Sequence, residues 1–222
     1  DLRYPTAKEE ELFAEKIREL NPSIVGLSVL SPYVAIAKRL TQIIRRNSSA
    51  AVVWGGIHPT LSPETCIQEA DLICLGEGEG ALTDLVQSIR DGKDYQQIEN
   101  VWSKNNGHII KNSMRPLNPD LDSIPFPAYA RDSFYFIGSN QIIQNDPTIL
   151  EPILAIMPAR GCPFMCTYCV NSLLRPKYKG LGHFNRRRSV PNVIAELKES
   201  LAIPGNRKKI VEFHDENFGI DE

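Results

Sequence analysis

Along residues 1–92 the apolar positions alternate between helical spacing and short unbroken runs. Thr6 followed by Glu9 reads as a capping box, and Leu12, Phe13, Ile17 and Leu20 then share one face of a helix that Asn21-Pro22 ends. Residues 24–30 (IVGLSVL) form an apolar run suited to a buried parallel strand. After Ser31-Pro32 a second helix carries Ile36, Leu40, Ile43 and Ile44 on one side. Residues 51–54 are the next strand and end at Gly55-Gly56; a polar turn and a short helix lead to a strand at 72–75. Gly76-Glu77-Gly78-Glu79-Gly80 follows, and Leu82, Leu85, Val86 and Ile89 line the inner face of a further helix. This alternation predicts an α/β fold, a Rossmann-like parallel sheet covered by helices on both faces. No strand precedes the first helix, so the sheet is expected to lack its first strand. The chain opens at Asp1 and stops at Asp221-Glu222, and it reads as a piece of a longer protein.

The pattern changes twice more. Residues 93–150 are expected to be a hairpin followed by a linker: residues 101–103 and 108–110 flank Asn105-Asn106-Gly107, and the stretch from Asp122 to Pro127 is proline-rich. Residues 151–222 begin a second α/β pattern. A strand at 153–157 runs into a cysteine-rich loop, Ser189 starts a helix with Val193, Ile194, Leu197 and Leu201 expected to face inward, and a strand at 210–213 ends at His214-Asp215-Glu216-Asn217. This order suits the opening of a β/α barrel, whose active site lies at the carboxyl ends of the strands; about 70 residues allow only part of one.

Composition narrows the classes. With 42% hydrophobic and 23% charged residues the chain is an ordinary globular one, and its net charge of −2 points neither to nucleic acid nor to an anionic membrane. No apolar run is long enough to span a bilayer. Five cysteines, three of them clustered, make a disulfide framework a poor reading and a reducing cytoplasm the fitting compartment.

The cluster is Arg160-Gly161-Cys162-Pro163-Phe164-Met165-Cys166-Thr167-Tyr168-Cys169. Three thiolates on one loop can hold three corners of a four-iron cluster and leave the fourth iron open to a substrate or cofactor. Zinc is the competing reading; it needs four ligands, and only His183 offers itself as the fourth. Cys66 and Cys74 stand apart and read as small buried residues. Arg186-Arg187-Arg188 reads as a solvated patch at a helix start, against contact with a ligand carboxylate or the substrate.

The run Cys162-x-x-x-Cys166-x-x-Cys169, placed after a strand, resembles the signature of the radical S-adenosylmethionine superfamily. The resemblance implies that Cys162, Cys166 and Cys169 bind a 4Fe-4S cluster whose open iron chelates S-adenosylmethionine. One electron then cleaves a carbon–sulfur bond and releases a 5′-deoxyadenosyl radical. It implies further that Tyr168 lies against the adenine, and that Asp215, Glu216 and Asn217 meet the methionine amino group. Plain packing for Tyr168 and an ordinary solvated loop for the acidic stretch are the alternatives.

In the amino-terminal part, Ser28-Val29-Leu30 and Gly55-Gly56 resemble the Ser-x-Leu and Gly-Gly elements of cobalamin-binding domains. A bulky nucleotide tail needs small residues beside the sheet, and a serine hydroxyl can bond to it. With Gly76 and Gly78 in the turn after the third strand, the whole stretch resembles the cobalamin domain fused ahead of many radical S-adenosylmethionine enzymes. A phosphate-cradling role for Gly76 to Gly80 is disfavoured by Glu77 and Glu79. His58 follows Gly-Gly in the wrong place to ligate cobalt from below.

The resemblance implies a cobalamin-dependent enzyme that abstracts hydrogen from a small-molecule or natural-product substrate and transfers a methyl group to an unactivated centre. Oxidative cyclisation or rearrangement on the same fold is the alternative, as is a non-catalytic cobalamin sensor with an accessory cluster. A low-potential electron donor, flavodoxin or ferredoxin, is implied as partner.

Overall fold

The computed structural model describes residues 4–128, 133–144, 151–203 and 207–219. The terminal residues Asp1, Asp221 and Glu222 lie outside them. Two compact units emerge, one of Asp1–Arg115 with Ile137–Gln141, the other of Pro116–Phe136 with Ile142–Glu222.

The first unit is built on five strands in the order β1-β2-β3-β4-β5. Helix α1 (Ala7–Leu20) starts at the expected capping box: Thr6 Oγ1 accepts from the Glu9 N–H, and Glu9 Oε2 accepts from the Thr6 N–H. β1 (Ile24–Ser28), β2 (Ala51–Gly55) and β3 (Leu72–Cys74) are parallel. Between them run α2 (Val34–Asn47), then α3 (Ile57–Leu61) and α4 (Pro63–Glu69). Helix α5 (Glu79–Arg90) follows β3. β1 is shorter than the apolar run that announces it, because Pro32 forces the chain into a single 3-10 turn at Ser31–Tyr33.

Alternation along the strands sorts the core into two layers. Val52, Trp54 and Ile73 face Ile17 of α1, Ala37 and Ile44 of α2, and Cys66, Ile67 and Ala70 around α4. Val53, Leu72, Cys74 and Val101 face Ala81 and Leu85 of α5. Helix α2 seats Ala37, Thr41 and Ile44 deepest and leaves Ile36, Leu40 and Ile43 half-buried. The small face lets the buried Trp54 ring approach and donate its indole N–H to Thr41 Oγ1 at 2.9 Å.

Two expectations change here. The sheet is not covered evenly: one helix serves the second face, and Gly26 and Ser28 of β1 remain exposed on it. The hairpin placed in a linker, β4 (Val101–Asn105) and β5 (His108–Lys111), instead extends the sheet, with β4 antiparallel to β3. Its turn, Asn106-Gly107, takes positive φ at both residues, the geometry that this residue pair favours. A further hairpin, β6 (Tyr135–Gly138) and β7 (Gln141–Gln144), turns at Ser139-Asn140, again with positive φ at both.

In the second unit β8 (Ile153–Ile156) leads through β9 (Ala159–Arg160) and the cysteine loop to α6 (Asn171–Lys177). β10 (Arg186–Arg187), α7 (Val190–Leu201) and β11 (Ile210–Phe213) complete it. β8 and β11 are parallel with α7 between them, and Leu154, Ile156 and Val193 are buried together. The connector from residue 118 to 127 is strapped to this unit rather than loose. Asp122 Oδ1 accepts the Ser189 N–H, the Asn118 carbonyl accepts from Arg186, and the Phe126 ring lies under the Arg188 guanidinium. That strapping also corrects the solvated arginine patch: Arg186 is buried, and Arg188 forms a buried ion pair with Glu196; only Arg187 is exposed.

Candidate functional site

In the first unit the carboxyl ends of β1, β2 and β3 open onto a cleft of 380 Å³, lined among others by Ser28, Gly55, Gly56, Gly76 and Gly78. The fold therefore gathers five of the six expected residues. Leu30 is not among them; it is 42% exposed in the turn beyond β1. Gly26, Leu27, Val53, Cys74 and Leu82, which the motifs do not single out, complete the wall. Strand alternation from Ser28 is the available signal for Gly26, since i and i+2 share a face.

The cleft exists because side chains are missing. A Cβ on Gly26 would meet nothing within 4 Å, and one on Gly55 nothing closer than 3.9 Å. Gly56 is held at φ +96, where a Cβ would press to 3.2 Å on the Val29 backbone and to 3.3 Å on Ser28 Oγ. Thr60 sets the two glycine loops against one another: its Oγ1 donates to the Gly56 carbonyl and accepts the Gly76 N–H. Asn100 fixes the third side, bonding to the Glu77 carbonyl, the Arg115 N–H and, through its own carbonyl, the Leu75 N–H. It is buried at positive φ, and nothing in its sequence surroundings marks it. Burial pushes the Cys74 thiol up to about 11, so it meets the cleft as a neutral group. His58 lies in α3 with Nδ1 3.0 Å from Ser31 Oγ. This cradle fits a flat or extended group that lies on backbone and demands little side-chain volume.

In the second unit the cysteine loop follows β9. Cys162 is buried, Cys169 half-buried and Cys166 exposed. The loop is tightened by the Cys169 N–H donating to the Cys166 carbonyl at 3.0 Å. The stretch after β11 laces to it. Asp215 Oδ1 accepts the Ala159 N–H at 2.8 Å, Glu216 Oε2 accepts from the Asn171 amide at 2.8 Å, and the Asn217 amide lies 3.9 Å from Cys162 Sγ. Two of these three expected binding residues thus hold the loop in place. Tyr168 is 92% exposed, and Cys166 beside it holds its phenol above the usual tyrosine range.

Among the described residues no three His, Cys, Asp or Glu side chains stand close enough to hold a metal ion. His183 shares a cavity wall with Cys162 but joins no ligand group. The donor set is nonetheless soft and three-fold, on one short loop, which suits an iron–sulfur centre and leaves zinc one ligand short. Among the described residues no helix is long and apolar enough to cross a membrane.

Residues 2–86 match the B12 binding domain family. An uncharacterized methyltransferase of Pyrococcus horikoshii is 31% identical over 215 residues, covering 94% of this chain and 43% of that protein. The anaerobic magnesium-protoporphyrin IX monomethyl ester cyclase of Cereibacter sphaeroides is 28% identical over 93% of this chain and 34% of its own length. Among solved structures, the radical S-adenosylmethionine methyltransferase TsrM from Kitasatospora setae, with tryptophan substrate and a S-adenosylmethionine analogue bound, superposes with a TM-score of 0.68. It is 20% identical and covers 95% of this chain and 40% of that one, a likeness of fold. The chain thus spans less than half the length of each.

Proposed function

From a chain that belongs among the cobalamin-binding-domain-containing radical S-adenosylmethionine proteins, we propose an enzyme that joins a cobalamin to a reductively cleaved S-adenosylmethionine and methylates an unactivated centre of a small molecule. The observation that carries the reading is a conjunction in one chain: a B12 binding domain with a side-chain-free cleft at its strand ends, and a three-thiol loop at the end of a βα unit.

In this reading Gly26, Gly55 and Gly56 give the nucleotide tail of cobalamin close access to the sheet, and Ser28 offers it a hydroxyl. Thr60 and Asn100 keep the glycine loops from closing the cleft. Cys162, Cys166 and Cys169 would hold a 4Fe-4S cluster, and Tyr168 is free to cover an adenine ring. Asp215 and Glu216 position the loop, and Asn217 directs its amide toward the Cys162 sulfur. When bound, the cluster would supply the electron that cleaves the sulfonium, and the cobalamin would carry the methyl group. A low-potential donor, flavodoxin or ferredoxin, is required, and a reducing compartment such as the cytoplasm fits. A nucleic-acid substrate is not part of the reading.

Oxidative cyclisation is the second reading, favoured by the relation to the Cereibacter cyclase. The test is anaerobic reconstitution of the full-length protein with iron, sulfide and hydroxocobalamin, followed by reductant and S-adenosylmethionine. Formation of 5′-deoxyadenosine with S-adenosylhomocysteine is the methyltransferase outcome, and 5′-deoxyadenosine alone the cyclase outcome. Cobalamin binding with neither product would leave only a sensor.

A further inference from the structure

The cleft at the strand ends of the first unit is poor in hydrogen-bonding side chains. Among its described lining residues only Ser28 and Cys74 carry a polar side-chain atom, and none is charged. Burial keeps the Cys74 thiol neutral, which leaves it a weak donor and a weak acceptor. Cys74 sits between two of the glycines. A Cβ on Gly55 would stand 3.9 Å from its Cβ, and one on Gly78 would stand 3.7 Å from its Sγ. Leu82 closes on Gly78 too, with Cδ1 3.3 Å from the same point. Leu82 is 40% exposed, and Val86, one turn further along α5, is 49% exposed.

The backbone of the glycine turns adds little. The Gly56 carbonyl already accepts twice, from the Thr60 N–H and from the Thr60 hydroxyl. The Gly55 carbonyl accepts from the Val29 N–H and the Gly78 carbonyl from the Leu82 N–H. The Gly76 N–H donates to Thr60 Oγ1. One serine hydroxyl is therefore the single strong hydrogen-bonding side-chain group that this lining offers a ligand.

We propose that this cleft discriminates among cobamides by the lower base of the nucleotide tail, taking a benzimidazole in preference to a purine, with Leu82 and Cys74 as the specificity-determining residues. The proposal rests on the reading of the first unit as a cobalamin site. A benzimidazole joined to its ribose keeps one ring nitrogen as a polar atom, and one hydroxyl can satisfy it. An adenine in its place keeps three ring nitrogens and an exocyclic amine whose protons need acceptors. Each polar group buried without a partner weakens binding, so the purine form should bind about tenfold to a hundredfold less tightly.

Titration of the full-length protein with three corrinoids, followed by their visible absorption, tests this without turnover. The three are hydroxocobalamin, the cobamide with the same corrin and an adenine lower base, and cobinamide, which has no tail. Wild type should bind hydroxocobalamin about tenfold to a hundredfold more tightly than the adenine form. Leu82→Gln adds an amide to a half-exposed position of the wall, and Cys74→Asn adds one beside the glycines; each should narrow that ratio, with thermal melting as the check that the variant is folded. Equal Kd values for the two tailed corrinoids in the wild type would overturn the proposal, and that comparison needs no variant. A ratio left unchanged by both folded variants would overturn the assignment to Leu82 and Cys74. Cobinamide binding as tightly as hydroxocobalamin would take the tail out of this cleft. If none of the three binds, the cobalamin reading itself falls, and the base preference with it.

Discussion

The two units are organised in opposite ways. In the first, Val52, Trp54 and Ile73 have no exposed surface, and the candidate site is a place where side chains are absent. In the second, β11 is exposed along its whole length, Leu154, Ile156 and Val193 are buried together behind it, and the candidate site is a loop where particular side chains are present. A cleft made by absence needs a rigid wall around it, since any collapse would fill it; packing at interior density supplies that wall. A loop that supplies donors needs only to be pinned at its ends, which Asp215 and Glu216 do. The sites should therefore fail differently when disturbed.

The largest expected effect is at the thiols. Cys166→Ala should abolish iron–sulfur loading and 5′-deoxyadenosine formation in the full-length protein while cobalamin affinity is retained. Iron analysis and cobalamin titration on the same sample check both halves, and loss of cobalamin binding too would blur the contrast. Next is Trp54→Ala, which removes a fully buried ring and strands Thr41; it should cost about 3–5 kcal/mol of stability by chemical denaturation.

Gly26→Val sharpens the contrast most directly. Its Cβ meets nothing within 4 Å and valine suits a strand, so thermal stability should hold while cobalamin affinity drops by about tenfold or more, the cost of about 1.4 kcal/mol. An unaltered affinity would remove the tail from this cleft. A smaller effect comes from Cys74. Its thiol is raised from 9.0 to about 11 by burial, so folding favours the neutral form. That contribution is whole below pH 9.0 and is lost as pH climbs through about 11. Stability curves of wild type and Cys74→Ala across that window should converge at the alkaline end, Cys74→Ala being the less steep. The smallest is Thr6→Ala, which removes a helix cap outside the cleft lining and should cost about 1 kcal/mol with no change in cobalamin affinity.

Local rules decide much of this molecule. The capping box at Thr6 and Glu9, the turn at Asn106-Gly107, the strand cores and the three-thiol spacing each depend on residues within a few positions, so the amino-acid order alone makes them legible. The glycines after β2 and β3 are legible for the same reason, because a strand end followed by glycine specifies backbone that turns tightly. What lies beyond reach is what depends on residues distant in sequence. Whether hairpin β4–β5 floats or joins the sheet depends on the free edge of β3. The buried face of α2 includes Thr41, bonded to Trp54, and that of α7 includes Glu196, paired with Arg188, while Ile194 and Leu201 are exposed; a periodicity of apolar residues does not contain these polar partners. Arg186 and Arg188 read as a solvated patch along the chain, but in the fold the connector supplies a carbonyl and an aromatic ring to cover them. Hydrophobic spacing states how much surface must be buried; only the folded chain decides against what, because burial is a property of pairs brought together across long loops.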